Sequence, residues 1–464
     1  MVSCGGYKTV KPIKTPVPPR PAGQENALLL RRPPLDTVRV AFVGLGQHGR
    51  HAVKHWANIP GTKIVALCDM RDKYMASLQE DLAKAGRPRA EEFIGDPDAW
   101  KTLCERDDIN LIYIATGWTD HAPMAKYVLE HGKNAAVELP SAMTLDECWD
   151  LVNTVERTRM HCFMLENCCY DFFESTALNM AQQGVFGEVI HAEGSYFHYL
   201  SPEHYTTYYK NWRLEYNKDF AGDIYPTHGF GPICDVLNIH RGDRLKTLVA
   251  MDTKSWRGPE YWKYATGEDI SEEEFKNGDV TSSMMTTENG KTILLRHNCF
   301  EPRPYMRSFQ LTGTEGYAGY GAKYPDPVFR LDIGDKFSEE AWLKDNVSDD
   351  VELAHISSHN PLSPEITNAL MDHYMDPVTR EIKEKAKQMG GHGGMDHIMH
   401  YRLVYCLRNG LPLDIDIYDL AEWCCITELS RISIEHGNAP VEIPDFTRGD
   451  WKKVQGYHRY YAGE

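Results

Sequence analysis

The sequence has no apolar run of about 18 residues, the length a membrane-spanning helix needs, so nothing in it reads as a membrane span. Its 12 cysteines never fall in a CxxC spacing, which excludes the usual zinc-ribbon and thioredoxin-like motifs. Basic charge is in short supply: 50 Lys+Arg stand against 67 Asp+Glu, for a formal net charge of −17. That balance repels phosphate backbones and anionic lipid, so nucleic acid and membrane surfaces are poor partners. It says little against a neutral small molecule or glycan.

What is present is ordinary for a soluble globular chain: 464 residues, 42% hydrophobic and 25% charged. A single core seldom exceeds about 250–300 residues, so two domains are expected. Cys68 in IVALCD and Cys162 in MHCFML lie in apolar runs and read as buried free thiols, which leaves the redox compartment open. Residues 1–37 are rich in Pro, Lys and Arg and read as an extended tail. Its start, MVSCGG, lacks a signal peptide's apolar stretch. It looks like the remainder of a bacterial lipoprotein signal with Cys4 as the acylation point. An exported, periplasmic protein is preferred on that reading, with a cytoplasmic one as the alternative.

From Val38 the chain alternates strand and helix. VRVAFV, TKIVALCD, INLIYIATG and KNAAVELP are apolar strands, and TLDECWDLVNTVERTRM is a helix opened by Thr144. Uniformly apolar strands between helices predict a parallel sheet covered on both faces, a Rossmann domain over 38–165. Beyond it the strands alternate with aromatics (VIHAEGSYFHY, KTLVAMDT, VTSSMMTTENGKTILLRHNC, RSFQLTGTEGYAGYG). They predict an α+β domain over 166–464 with an open, largely antiparallel sheet, closed by two helices, MDHIMHYRLVYCLRNG and YDLAEWCCITELSRISIEHG. The tract 335–365 resists assignment. The fold class is thus α/β with a second α+β domain. An open sheet leaves a face that needs covering, so a homo-oligomer is expected.

Gly44, Gly46 and Gly49 form a GxGxxG that follows a strand and opens a helix, and Asp69 ends the next strand. Such glycines permit a tight turn and let a pyrophosphate approach the helix N-terminus, while the acid bonds the adenosine ribose. The cofactor expected is NAD; Arg71 keeps NADP open. ATGWTDHAP follows the third strong strand, where ligands of doubly wound sheets lie. Trp118 and His121 there are candidate cofactor contacts, and Thr119 or Asp120 also suits a helix cap. The stretch GDIYPTHGFGP holds Tyr225, Pro226, Thr227 and His228 between glycines and prolines and reads as a stiff, tight turn. His228 suits proton transfer near neutrality, although a structural histidine fits the spacing as well. His392, His397 and His400 read as helix-surface histidines, and no metal is expected.

The segments NWR…GDIYPTHGFGP…NIHRGD, ENCCY, VELP, RPYMRSFQLTGTEG, HGGMDHIM, LRNGLPLDIDIYD and PDFTRGDW together resemble glycoside hydrolase family 109, a branch of the Gfo/Idh/MocA oxidoreductases. The resemblance runs from Val38 nearly to the C-terminus. It implies an NAD-dependent α-N-acetylgalactosaminidase that oxidises the sugar at C3, eliminates the aglycone, adds water and reduces C3 again, with NAD kept throughout. Such enzymes stand outside the paired-carboxylate mechanism of glycosidases. By the same resemblance Tyr196 is the base and His228 the proton donor or the base for water. Arg213, Tyr225, Pro226, Thr227 and Tyr305 are implied substrate contacts. Gln47, His48, Asp69, Trp118, Thr119, Asp120, His121, Glu138, Leu139 and Asn167 are implied cofactor contacts. A tyrosine base needs a cation or the oxidised cofactor to lower its pKa from about 10.

Two departures stand out. Leu139 occupies the position of the superfamily's catalytic lysine, which counts against a plain NAD(P)-dependent sugar oxidoreductase, the alternative function. The 197–212 segment differs from the family's polar tract and carries Tyr199, Tyr205, Tyr208 and Tyr209, which suit either sugar stacking or a solvated loop.

Overall fold

The computed structural model describes residues 10–331 and 360–464; Cys4 and most of the 335–365 tract lie outside them. Strands β1 (Val38–Val43), β2 (Thr62–Asp69), β3 (Glu91–Ile94), β4 (Leu111–Ile114), β5 (Asn134–Val137) and β6 (Cys162–Met164) form a parallel sheet in the order β3-β2-β1-β4-β5-β6. β4 and β5 are buried at every residue, as expected of strands with helices on both faces. β3 is a polar edge strand, EEFI, largely open to solvent, so it has no apolar run to announce it. The order reverses between β1 and β4, and that switch point opens a crevice at the carboxyl ends of the strands.

The connecting helices are α1 (Gln47–Ala57), α2 (Met75–Lys84), α3 (Ala99–Cys104), α4 (Trp118–Glu130) and α5 (Leu145–Thr158). Thr144 caps α5 in a reciprocal capping box with Glu147. α4 starts at Gly117 with no side-chain cap, so the capping role considered for Thr119 or Asp120 is not used.

The second sheet has eight strands in the order β13-β12-β11-β7-β10-β9-β8-β14. Its central strand β7 (Val189–Phe197) pairs in parallel with β10 (Thr292–Asn298) and antiparallel with β11 (Gln310–Gly313). β8 (Leu245–Asp252) and β9 (Thr281–Thr287) follow antiparallel, and β14 is the short edge Val441–Glu442. On the other side lie β12 (Gly316–Tyr320) and β13 (Pro327–Leu331). Helices α6 (Phe172–Gln182), α7 (Pro202–Thr207), α8 (Trp212–Asp219), α9 (Thr227–Val236) and α10 (Gly258–Thr266) punctuate this domain. The helix Ile417–Glu435 lies between β8 and α5. Leu420, Trp423, Cys424, Cys425 and Leu429 are all fully buried on it; a helix apolar on every side has to sit between layers. It joins the two domains into one core.

The GDIYPTHGFGP stretch is not a tight turn. Pro226 (φ −73°, ψ −29°) precedes α9, and the chain is helical from Thr227 onward, through Pro232. The glycines serve close packing. A Cβ on Gly229 would lie 2.4 Å from the Ser195 amide nitrogen of β7, and one on Gly231 would lie 2.7 Å from the Trp423 ring. His397 and His400 are not on a surface: both are buried on the helix Met395–Asn409, which packs against α1. In the 197–212 segment Tyr205 is buried against Tyr261 and Phe300, whereas Tyr199 is exposed. The described cysteines are all free and buried, and no described helix is long and apolar enough to cross a membrane.

Residues 10–37 run in extended form over both domains. Ile13 pairs with Val441 at the β14 edge. Arg20 bridges Glu156 of α5 and Asp450, and the Ala27 amide donates to the Tyr418 hydroxyl at 3.0 Å.

Candidate active site

At the switch point a cleft of about 680 Å³ runs from Asp69, Arg71 and Trp100 past the glycine loop to Glu138, Arg213 and Tyr225, within the usual range for a small-molecule site. Gly44 has φ +88°, and a Cβ there would meet the Ala115 carbonyl oxygen at 2.4 Å. Gly46 differs: a Cβ there would meet no protein atom within 4 Å, so its open side faces the cleft. α1 begins at Gly46 with no side-chain cap and no acidic residue in its first turn, leaving its first amides for an anion. Asp69 Oδ2 accepts the Leu45 amide at 2.6 Å, which ties the carboxylate to the loop. The open cradle, the free amides and the acid at the end of β2 fit a dinucleotide with an unphosphorylated ribose.

At the inner end of the cleft the second domain contributes Tyr208, Tyr209, Trp212, Arg213 and Tyr225, and Tyr196 and His228 stand behind Tyr225. Tyr196, near the end of β7, lies with its ring 4.7 Å from that of Tyr225 and 5.3 Å from that of His228. Tyr225 stacks on Trp118, the first residue of α4, at 5.8 Å. Arg213 is buried among these rings, its guanidinium 4.9 Å from Tyr225, 5.0 Å from Trp118 and 5.0 Å from Tyr209. It donates to the Tyr209 hydroxyl at 2.9 Å, while its Nε is buried without a partner. A buried cation without a carboxylate is costly, and here it lines the cleft.

His228 Nδ1 donates to Glu166 Oε1 at 2.7 Å. Glu166 is fully buried at the end of β6, and its Oε1 also accepts the Cys168 amide. Burial acts to raise the Glu166 carboxyl, but the charge and hydrogen bond of His228 outweigh it and hold the group below the usual range. With Nδ1 committed, Nε2 is the nitrogen left for proton exchange. Glu166, Cys168 and His228 bring three potential ligand atoms within 4.8 Å of one another. The direct His–Glu bond and a thiol pushed far up by burial describe a proton pair.

The Tyr196 hydroxyl is 2.6 Å from His198 Nδ1. Burial drives the phenol up, with Arg213 acting against it, while burial and then Arg213 push His198 down to about 4. A neutral imidazole therefore accepts a hydrogen bond from the phenol and fixes its direction, while remaining too weak a base to take its proton. Glu138, whose Oε1 accepts the Tyr113 hydroxyl at 2.9 Å, is raised to about 7 by burial. Tyr113 in turn meets His400 Nε2 at 3.1 Å.

Of the expected contacts, Gly44, Gly46, Gln47, His48, Asp69, Trp118, Asp120, His121, Glu138, Leu139, Arg213 and Tyr225 line the cleft. Gly49, Thr119, Asn167, Pro226, Thr227 and Tyr305 do not, nor do the expected catalytic residues Tyr196 and His228, which pack behind Tyr225. Gly49 packs inward, where a Cβ would lie 2.0 Å from the Gly44 carbonyl. His121 uses both ring nitrogens on the backbone, Nδ1 near Pro140 O at 2.8 Å and Nε2 near Thr116 O at 3.2 Å. Asn167 donates to Asp396 at 2.6 Å. Tyr305 reaches the site through His198, ring centroids 5.2 Å apart. Glu166 and His198 were not singled out from the sequence as site residues. His198 was within reach, being two residues from Tyr196 in a strand-like segment and so on the same face.

Residues 38–165 match the family model described as "Oxidoreductase family, NAD-binding Rossmann fold", and residues 170–453 match "Glycosyl hydrolase 109, C-terminal domain". A relative named "Glycosyl hydrolase family 109 protein 1" from Bacteroides thetaiotaomicron is 55% identical over 454 residues, 97% of this chain and 93% of that protein. A "Glycosyl hydrolase family 109 protein" from Porphyromonas gingivalis is 54% identical, covering 97% and 93%. Among solved structures, a levoglucosan dehydrogenase in complex with NADH and levoglucosan superposes with a TM-score of 0.62 at 16% identity, over 88% of this chain and 100% of that one. The myo-inositol 2-dehydrogenase from Lactobacillus plantarum gives 0.59 at 14%, over 88% and 99%. These likenesses concern the fold.

Proposed function

The chain belongs to glycosyl hydrolase family 109, with an NAD-binding Rossmann domain, and on that premise we propose that it hydrolyses terminal α-N-acetylgalactosaminides with a resident NAD. The observation that carries this reading is the pair Tyr225 and Arg213 lining the inner end of the dinucleotide cleft, with Tyr196 and His228 packed directly behind Tyr225. Bound there, NAD supplies reversible hydride exchange with a sugar carbon.

The protein's own groups supply orientation and proton movement. Arg213, short of an anion and boxed by aromatic rings, meets the oxygens of the sugar, and Tyr225 and Trp118 present faces for its apolar side. The proton to be moved is the one α to a sugar carbonyl. Tyr196 takes it as the phenolate, the form that the neighbouring Arg213 cation favours against the upward push of burial, with His198 orienting the hydroxyl. His228, fixed by Glu166, delivers a proton from Nε2 to the departing oxygen and recovers one from water. Leu139 presents only an apolar side chain beside these groups. On the outward face of the second sheet Met251 and Met284 are exposed, and we read that face as the seat of a second copy of the chain.

The test is to mix the purified protein, without added cofactor, with an aryl α-N-acetylgalactosaminide and record phenol release and NADH together. Sustained phenol release with no net NADH is expected. Oxidation dependent on added NAD⁺, with one NADH per sugar and no phenol, means a sugar oxidoreductase instead.

A further inference from the structure

Five consecutive residues, Gly390 to Gly394, have positive φ: 70°, 73°, 47°, 76° and 111°. Four are glycines, which adopt such angles freely; the 47° belongs to His392, and a side-chain-bearing residue held there marks a position fixed by its surroundings. Gly391 has no room for a Cβ, which would lie 2.6 Å from Asp396 Oδ2 and 2.7 Å from a His55 ring carbon. The run connects the helix Pro377–Met389 to the helix Met395–Asn409 and sets the His392 ring parallel to that of His48, at 7° with centroids 6.3 Å apart. His48 belongs to the first turn of α1, beside the open Gly46 cradle. The glycine loop therefore brings a side chain from the second domain to the anion-binding end of the first.

That side chain is prepared as a cation. Nδ1 donates to Asp396 at 2.9 and 3.1 Å, and Asn167 holds the same carboxylate at 2.6 Å. The His392 side chain is half exposed, and the Asp396 hydrogen bond raises it above its ordinary value against partial desolvation. Burial opposes the Asp396 charge, but His392 and Asn167 hold its carboxyl far below the usual range. The proton movements described for the sugar site make no use of this pair.

We propose that His392, carried on the left-handed glycine loop and paired with Asp396, is a clasp from the C-terminal domain on the diphosphate of the bound dinucleotide, and that it slows the cofactor's escape. An imidazolium at the α1 N-terminus adds to the free amides there. A cation lost as pH rises through the raised His392 value weakens the hold on an anion, so cofactor exchange accelerates toward alkaline pH. Asp396 and His48 meet His392 directly, and His55 of α1, Glu138, His198 and Arg307 act on it or feel it through charge. Glu138 is itself raised to about 7 by burial, so the effect is assigned by variant and not by its midpoint.

The experiment follows exchange of resident NAD for isotopically labelled NAD, in the absence of any sugar, across mildly acidic to mildly alkaline pH. In His392→Gln, exchange is expected to be about 10- to 100-fold faster, the scale of one charge-assisted hydrogen bond, with its rise toward alkaline pH flattened. Asp396→Asn moves exchange in the same direction. Wild-type exchange rate and pH dependence retained in His392→Gln overturn the clasp. Should His392→Gln fail to rebind NAD at saturation, the unaltered protein decides: an exchange rate flat across pH overturns the proposal. Since no sugar takes part, the result is independent of the glycosidase reading.

Discussion

Replacing Glu166 by Gln removes one charge from the site and almost no volume. Glu166 is fully buried and accepts the Nδ1–H of His228 at 2.7 Å, so the pair is a charge-assisted bond shielded from water. Such a bond contributes about 1.5–3 kcal/mol, or about one to two decades in rate if it stabilises the charged imidazole where the proton is passed. The amide introduces a second loss. It can present its N–H to Nδ1, which fixes the neutral ring's proton on Nε2 and stops that nitrogen from acting as a base; losing a general acid or base costs about 10²–10⁴-fold. Steady-state kinetics on an aryl glycoside should therefore show kcat down by at least about tenfold. KM should hardly move, because Glu166 does not line the cleft. The resident NAD content, read by absorbance after denaturation, should be unchanged. Unchanged kcat in Glu166→Gln would refute the role given to the His228–Glu166 pair.

Other predictions follow from the same geometry. Tyr196→Phe should lose about 10²-fold or more in turnover, and His198→Gln should lose turnover with NAD content intact; full activity in both would remove Tyr196 as base. Gly46→Val, whose side chain enters empty cleft, should leave the circular dichroism melt near wild type while the protein purifies without dinucleotide. Gly49→Ala, 2.0 Å from the Gly44 carbonyl, should lower the melting temperature itself. Glu138 is raised from 4.5 to about 7 by burial. The folded state thus holds a proton that the unfolded chain releases, and stability should fall as pH rises across that window. Glu138→Gln should reduce that slope in denaturant titrations at several pH values, and an identical slope would contradict the assignment.

The parts of the fold that could be read from the sequence are those where one local force dominates. Strands such as β4 and β5 are covered on both faces and therefore apolar at every position, and Thr144 with Glu147 announces α5 through its capping box. β3 pairs at a wet edge, so its polar EEFI sequence carries no such mark. α9 was misread because glycine and proline usually signal a turn. Here Gly229 and Gly231 are demanded by Ser195 and Trp423, which are distant in sequence. The dinucleotide cradle was legible because its glycines, helix and acid all lie within Gly44–Asp69. The partner of His228 was not, since Glu166 comes from the end of another domain's sheet and the packing of α9 on the turn Asn167–Tyr170 brings the two together. His392 was visible only as one of several histidines; its role depends on the loop that turns it toward His48.

In the proposed mechanism glycoside cleavage passes through a sugar made acidic next to a carbonyl, with a cofactor that never leaves. That mechanism is tested most directly by incubating the purified protein, with no NAD added, with an α-N-acetylgalactosaminide in heavy water and following the released sugar by proton NMR. Free sugar carrying deuterium at C2 is the predicted result. Free sugar that keeps its C2 hydrogen would mean direct hydrolysis without oxidation and would contradict the account.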